Sequence, residues 1–173
     1  MAEALDPAIP DDVERLAQEV LQAACDRGVM LATAESCTGG LLASLLTDIP
    51  GKSHAFERGF VTYTNDAKHE VLGVSWDILD RFGAVSAPAA EAMAAGALTA
   101  SRADISVSIT GFTESAPGQP AGLVHFACAR RGAECVQQLE TFGDIGRAAV
   151  RLASLRTALR LLNAALGRTA DAA

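Results

Sequence analysis

GVMLATAESCTGG, residues 28–40, is the stretch of sequence that decides the fold. Its apolar run, VMLATA, is typical of a short buried strand. A cluster of small and hydroxyl residues follows, and the leucines at 41, 42, 45 and 46 then repeat at helical spacing. Strand, tight turn and helix start in this order predict an α/β unit. Free amides at a helix start favour an anion or a developing oxyanion, so the turn is a candidate site.

The length and composition indicate one globular domain. The chain has 173 residues, of which 50% are hydrophobic and 20% charged, and a chain of this size can bury a core without disulfide or metal. Apolar periodicity is confined to the middle of the chain. We therefore expect a single domain over residues 11–167, with flexible ends at residues 1–10 and 168–173.

The charge and the cysteines exclude several classes of protein. A net charge of -7 gives no general attraction to nucleic acid or to an anionic membrane. No apolar run approaches the ~20 residues that cross a bilayer. The four cysteines lack CxxC spacing and no secretory signal precedes them, which favours a reduced, cytoplasmic setting.

Helices and strands alternate along the chain until a late pair of strands. Periodicity and turn residues predict helices over residues 11–27, 41–49, 65–72, 76–82, 87–102 and 145–166, and strands over 29–34, 55–63, 104–110, 121–130 and 134–142. Gly59 is a candidate bulge in the second strand. The last two strands form an antiparallel pair turned at Arg131 and Gly132. This order predicts an α/β fold in which helices cover both faces of a mixed sheet.

Three strands end in polar residues that we expect at one edge of the sheet. Ser36, Tyr63 and Thr110 each stand at the carboxyl end of a predicted strand. Ligands of open α/β sheets bind beyond these ends. The three segments therefore predict one shared site.

Ser36 is a candidate nucleophile. A serine needs a base for its proton and donors for the oxyanion, and the amides of Cys37, Thr38, Gly39 and Gly40 are candidate donors. The alternative is that Ser36 or Thr38 only caps the helix.

Lys68 is the candidate base. It is one of only two lysines and falls in the first turn of a helix, where the dipole disfavours a cation. Burial there would lower its pKa toward the range of a general base; the alternative is a solvated surface lysine. Tyr63, the only tyrosine, either orients the lysine and relays a proton or is a core ring. Cys37 is a rival nucleophile, because a helix start lowers the pKa of a thiol.

Other polar residues give weaker signals. The three histidines lack ligand spacing with one another or with the cysteines, which argues against a metal. Arg147 stands at the predicted start of the last helix and is in position to reach a phosphate. The alternative for Arg147 is a place on a solvated face with the arginines that follow it.

The linked motifs TAESCTGGLLASLLTDIPG, FERGFVTYTNDAKHEVLGV, FGAVSAPAAEAMAAGAL, SITG and PAGLVHFA occur in this order over about residues 13–166. Together they resemble the CinA carboxy-terminal domain family, the nicotinamide-nucleotide amidases. The resemblance implies a three-layer α/β/α domain with no cofactor or metal. It also implies hydrolysis of nicotinamide mononucleotide to nicotinate mononucleotide and ammonia. A homodimer or larger homo-oligomer is its expected assembly.

The same resemblance assigns residues to roles. The family's catalytic serine, tyrosine and lysine fall on Ser36, Tyr63 and Lys68, with Lys68 taking the serine proton. Apart from the resemblance, their positions at the turn, at a strand end and at a helix start predict substrate binding by Cys37, Thr38, Gly39, Gly40, Thr110, Gly111 and Arg147.

One loop departs from the family pattern. Members usually carry a glycine-rich loop after the Thr-Gly strand end, whereas this chain has GFTESAPGQP at 111–120. Glu114 in this loop would bring a negative charge near a phosphate. An inactive or altered-specificity relative that binds a nucleotide or a protein partner is therefore the alternative.

Overall fold

The computed structural model describes residues 9–167. Most of the two ends predicted to be flexible, residues 1–8 and 168–173, lie outside the described residues. Pro10 caps the first helix, and Gly28 ends it in a left-handed conformation with φ 63°. Across residues 9–167, no helix is long and apolar enough to cross a membrane.

Every predicted helix and strand is present, with small shifts at the ends. The helices are α1 Asp11–Arg27, α2 Leu41–Asp48, α3 Asn65–Leu72, α4 Trp76–Phe82, α5 Ala87–Thr99 and α6 Arg147–Gly167. The strands are β1 Leu31–Glu35, β2 Phe56–Val61, β3 Ile105–Gly111, β4 Leu123–Arg130 and β5 Val136–Thr141, with a short 3-10 turn at Ser53–Ala55 before β2.

The five strands form one mixed sheet in the order β2-β1-β3-β4-β5. β1 pairs in parallel with β2 and β3, whereas β4 is antiparallel to both β3 and β5. α1, α2 and α6 pack over one face, and α5 covers the other with α3 and α4 beside it. The α/β fold with a mixed sheet is thereby confirmed.

Hydroxyl groups on β3 fasten the sheet to α5. Ser106 and Ser108 donate to the carbonyls of Ala94 and Ala90 at 2.7 and 2.6 Å. The small residues of α5 also permit close packing on α3, since a Cβ at Gly96 would lie 1.9 Å from the Leu72 carbonyl oxygen. The Ala-rich sequence of α5 is therefore a packing requirement.

The predicted bulge at Gly59 is wrong. The register between β1 and β2 shifts where Leu31 pairs with Phe56 and Ala32 with Arg58, which leaves Glu57 as the extra residue. Gly59 pairs regularly with Thr33. The bulge therefore lies at Glu57, whose carboxylate accepts from Arg58 Nε at 2.6 Å.

Candidate active site

Three strands bring their polar ends to one edge of the sheet, as the sequence predicts. Ser36 directly follows β1, Tyr63 follows β2, and Thr110 lies near the end of β3. The ladder continues past the strands, because the Ser36 amide donates to Ile109 at 2.9 Å. All three residues line one cleft of about 370 Å³.

Lys68 is buried against Ser36 at the inner end of this cleft. The Thr64 hydroxyl caps α3 by accepting from the Ala67 amide, and the next residue, Lys68, points inward with 1% of its surface exposed. Its Nζ lies 2.9 Å from Ser36 Oγ. Burial lowers the pKa of Lys68 to about 8, so this lysine is not a surface residue.

Two main-chain carbonyls set the direction of the Lys68 amine. Nζ lies 2.8 Å from the carbonyl oxygen of Thr62 and 3.4 Å from that of Tyr63. A neutral amine has two hydrogens and one lone pair. When both hydrogens are donated to these carbonyls, the lone pair faces Ser36 Oγ and can accept its proton.

The carboxylate of Glu35 lies at the start of α2, the position where the sequence predicts an anion. Its side chain is fully buried, and its carboxylate accepts from the amides of Gly40, Leu42 and Ala43 at 3.2, 3.1 and 2.8 Å. The protein thus supplies its own anion to the helix start. By accepting these hydrogen bonds, the Glu35 carboxylate stabilises the backbone turn that carries Ser36.

This arrangement changes which amides are available to an oxyanion. Gly40 donates to Glu35, and the Gly39 amide donates to the Ser36 carbonyl at 3.1 Å. The amides of Cys37 and Thr38 remain as candidate donors. Thr38, Gly39 and Gly40 are not among the described residues that line the cleft, whereas Cys37 is.

The sequence prediction does not include Glu35 among the site residues. Its signal is an acidic residue at the end of a fully buried strand, just before a helix whose N-cap is glycine. A helix with a glycine N-cap and no acidic residue in its first turn needs an acceptor from elsewhere.

Cys37 does not have the lowered pKa expected at a helix start. Burial raises the pKa of its thiol to about 11, and the nearby Glu35 carboxylate acts in the same direction. Its carbonyl accepts from Arg151 Nε at 2.9 Å. A protonated, buried thiol is a poor nucleophile, so Cys37 is a weaker candidate nucleophile than Ser36.

Tyr63 and Thr110 both line the cleft, but Tyr63 contacts Lys68 through its main chain, and Thr110 bonds to the loop before α5. The Tyr63 side chain is largely exposed, with 69% of the residue surface accessible, and its contact with Lys68 is made by its main-chain carbonyl. Thr110 donates its hydroxyl to the Ala84 carbonyl at 2.7 Å, which fixes the loop before α5 against the cleft. Gly111 lines the cleft, and a Cβ there would lie 2.7 Å from Val124 Cγ2.

An ion pair lies at the outer rim of the cleft. Arg147 begins α6, and its Nε and Nη2 lie 3.0 and 2.8 Å from the two carboxylate oxygens of Glu114. Glu114 raises the pKa of Arg147, and the Tyr63 hydroxyl makes a smaller contribution in the same direction. Arg147, the residue predicted to bind phosphate, therefore lies in the cleft, but its guanidinium is already paired with the Glu114 carboxylate of the altered loop.

A search of residues 9–167 for three or more histidine, cysteine or carboxylate side chains able to hold a metal finds no such group. Cys25, Cys37 and Cys135 form no disulfide among the described residues.

Comparisons with known proteins agree with this fold. The family model of the CinA C-terminal domain matches residues 13–166. The chain is 46% identical over 155 residues to the nicotinamide-nucleotide amidohydrolase PncC of Escherichia coli K12, covering 87% of this chain and 93% of that protein. It is 45% identical over 157 residues to a CinA-like protein of Syntrophotalea carbinolica, covering 89% of this chain but only 38% of that longer protein.

Solved structures give the same result. The competence/damage inducible protein CihA from Agrobacterium tumefaciens is 47% identical, with a TM-score of 0.88 over 92% of this chain and 98% of that one. The competence damage-inducible protein A from Klebsiella pneumoniae is 33% identical, with a TM-score of 0.86 over 91% and 98% of the two chains.

Proposed function

The chain belongs to the CinA C-terminal domain family, and from that membership and the cleft geometry we propose that it is a nicotinamide-nucleotide amidohydrolase. The substrate class comes from the PncC relative, whose name gives that activity. The reaction would convert nicotinamide mononucleotide and water to nicotinate mononucleotide and ammonia. The observation that carries the proposal is the buried contact of 2.9 Å between Lys68 Nζ and Ser36 Oγ.

We propose that Ser36 is the nucleophile and Lys68 the general base. The neutral Lys68 amine takes the proton of the Ser36 hydroxyl as Oγ bonds to the carboxamide carbon. The amides of Cys37 and Thr38 are the candidates to stabilise the resulting oxyanion. As the carbon–nitrogen bond breaks, Lys68 returns the proton to the leaving group, which departs as ammonia. Water then attacks the acyl carbon and gives a proton to Lys68. The bond between the acyl carbon and Ser36 Oγ breaks, Lys68 returns the proton to Oγ, and the acid leaves.

Tyr63 would assist through its carbonyl, which accepts a hydrogen bond from Lys68. A proton relay through its hydroxyl stays a prediction. Thr110, Gly111 and Arg147 would face the substrate from the other side of the cleft. A cytoplasmic location and a homo-oligomeric state also stay predictions.

A relative with altered specificity or no activity is the second candidate. The observation that favours it is the Glu114 carboxylate on Arg147, because it neutralises the cation assigned to the phosphate. Such a protein would bind a nucleotide or a protein partner without rapid turnover.

The test compares ammonia release from nicotinamide mononucleotide by the wild-type protein and Ser36→Ala. We expect kcat to fall by about 10³-fold or more in the variant while circular dichroism shows an unchanged fold. Release unaffected by a metal chelator would support metal-independent chemistry. Equal release by both proteins would exclude the serine mechanism, and tight nucleotide binding with no release by the wild type would favour the second candidate.

A further inference from the structure

The two ends of the cleft differ in charge. Lys68 lies at the inner end, and the outer rim carries Arg147 and Glu114. These three are the lysine, arginine and carboxylate side chains among the described residues that line the cleft. Since Glu114 compensates Arg147, the rim presents no free cation to a phosphate.

Glu114 uses the same donors of Arg147 that a phosphate would need. A guanidinium binds carboxylate and phosphate alike through two parallel N–H donors. Here Nε and Nη2 are both committed to the Glu114 carboxylate, at 3.0 and 2.8 Å. A substrate phosphate at this rim therefore competes with an internal anion for one cation.

The ion pair is also easy to break. The Arg147 and Glu114 side chains are 41% and 65% exposed, and exposed pairs of this kind contribute little to stability. The loop that carries Glu114 is built from main-chain contacts instead: Phe112 bonds with Leu123, and Ala116 bonds with Gln119 in both directions. Glu114 can release Arg147 without loss of the loop.

We propose that Glu114 is a specificity-determining residue that competes with the substrate phosphate for Arg147. This inference rests on the proposed function, in that the substrate is taken to be a nicotinamide nucleotide. Glu114 weakens binding of the phosphorylated substrate and leaves binding of the dephosphorylated riboside unchanged. The chain therefore discriminates less strongly between mononucleotide and riboside than it would with a free arginine.

The test measures binding by calorimetry in a Ser36→Ala background, where turnover does not interfere. Nicotinamide mononucleotide and nicotinamide riboside are titrated into this protein, into its Glu114→Gln derivative and into a Glu134→Gln derivative. Glu134 is the matched control, since it is an exposed glutamate in the β4–β5 turn, at the opposite edge of the sheet.

We expect Glu114→Gln to lower the Kd of the mononucleotide by about three- to fivefold. The riboside should bind as before, and Glu134→Gln should change neither. In an Arg147→Gln background, Glu114→Gln should no longer lower the Kd of the mononucleotide. This coupling separates competition for Arg147 from simple charge repulsion.

Four results would overturn the inference: unchanged mononucleotide binding, an equal change for both ligands, an undiminished effect without Arg147, or absence of binding to every variant. If the wild type releases no ammonia but the mononucleotide still binds more tightly to Glu114→Gln, the proposed function fails and the inference stands.

Discussion

The inner end of the cleft and its outer rim each contain a cation, but they are built in different ways. Lys68 is buried, is directed by two main-chain carbonyls and has a pKa lowered to about 8. Arg147 is partly exposed, is held by side chains, chiefly that of Glu114, and has a pKa raised by Glu114. Main-chain carbonyls thus fix the position of Lys68, the proposed base. Arg147, the proposed phosphate ligand, is paired instead with the side chain of Glu114, which a substrate anion can displace. A substitution at the inner end should therefore affect kcat, and one at the rim should affect substrate preference.

The largest expected effect is that of Lys68→Met. Loss of a general base lowers kcat by about 10³-fold, and Lys52→Met is the matched control at the only other lysine. The pH profile gives a second readout. Since the neutral amine is the active form, wild-type activity should rise as the pH passes through about 8, and this rise should be absent from the residual activity of Lys68→Met. An unchanged kcat in Lys68→Met would show that the inner end does not supply the base.

Glu35→Gln should have an intermediate effect, since it alters the support of the nucleophile and not the nucleophile itself. Removing the charge that accepts from three main-chain amides should lower the free energy of unfolding by about 2 kcal/mol. The loosened turn should lower kcat by about tenfold.

Chemical denaturation and kcat measured on the folded variant check this prediction. Ser36→Ala provides the contrast, because it should lose kcat and keep its stability. A folded Glu35→Gln protein with wild-type kcat would mean that Glu35 supports only the helix.

Tyr63→Phe should have the smallest effect on catalysis. The contact of Tyr63 with Lys68 is made by its main chain, which the substitution keeps, so kcat should fall by less than about tenfold. The Kd of the mononucleotide is the second readout, because the Tyr63 hydroxyl contributes to raising the pKa of Arg147 at the rim. A fall in kcat as large as that of Lys68→Met would place the hydroxyl in the proton relay.

The sequence predicts the inner end better than the rim, for a physical reason. Ser36 and Lys68 follow strands and caps that local patterns define, so the topology brings them together. The sequence gives only a weak signal for Glu35, because its partners are main-chain amides and not side chains. The lowered pKa predicted for Cys37 is wrong because burial outweighs the effect of the helix start.

The pairing of Glu114 with Arg147 could not be deduced either. The two residues are 33 positions apart, and their contact depends on the path of an irregular loop. The sequence places Glu114 near a phosphate site but does not show that it occupies the arginine itself.

Lys68 is a buried amine whose lowered pKa, about 8, allows it to be neutral near that pH. The chain has two lysines, so labelling lysine with ¹³C at Cε gives two side-chain signals, and the Lys68→Met variant assigns them. We predict that the Lys68 signal titrates with a midpoint near 8, as its burial requires. A midpoint at the ordinary lysine value of about 10.4 would contradict the account.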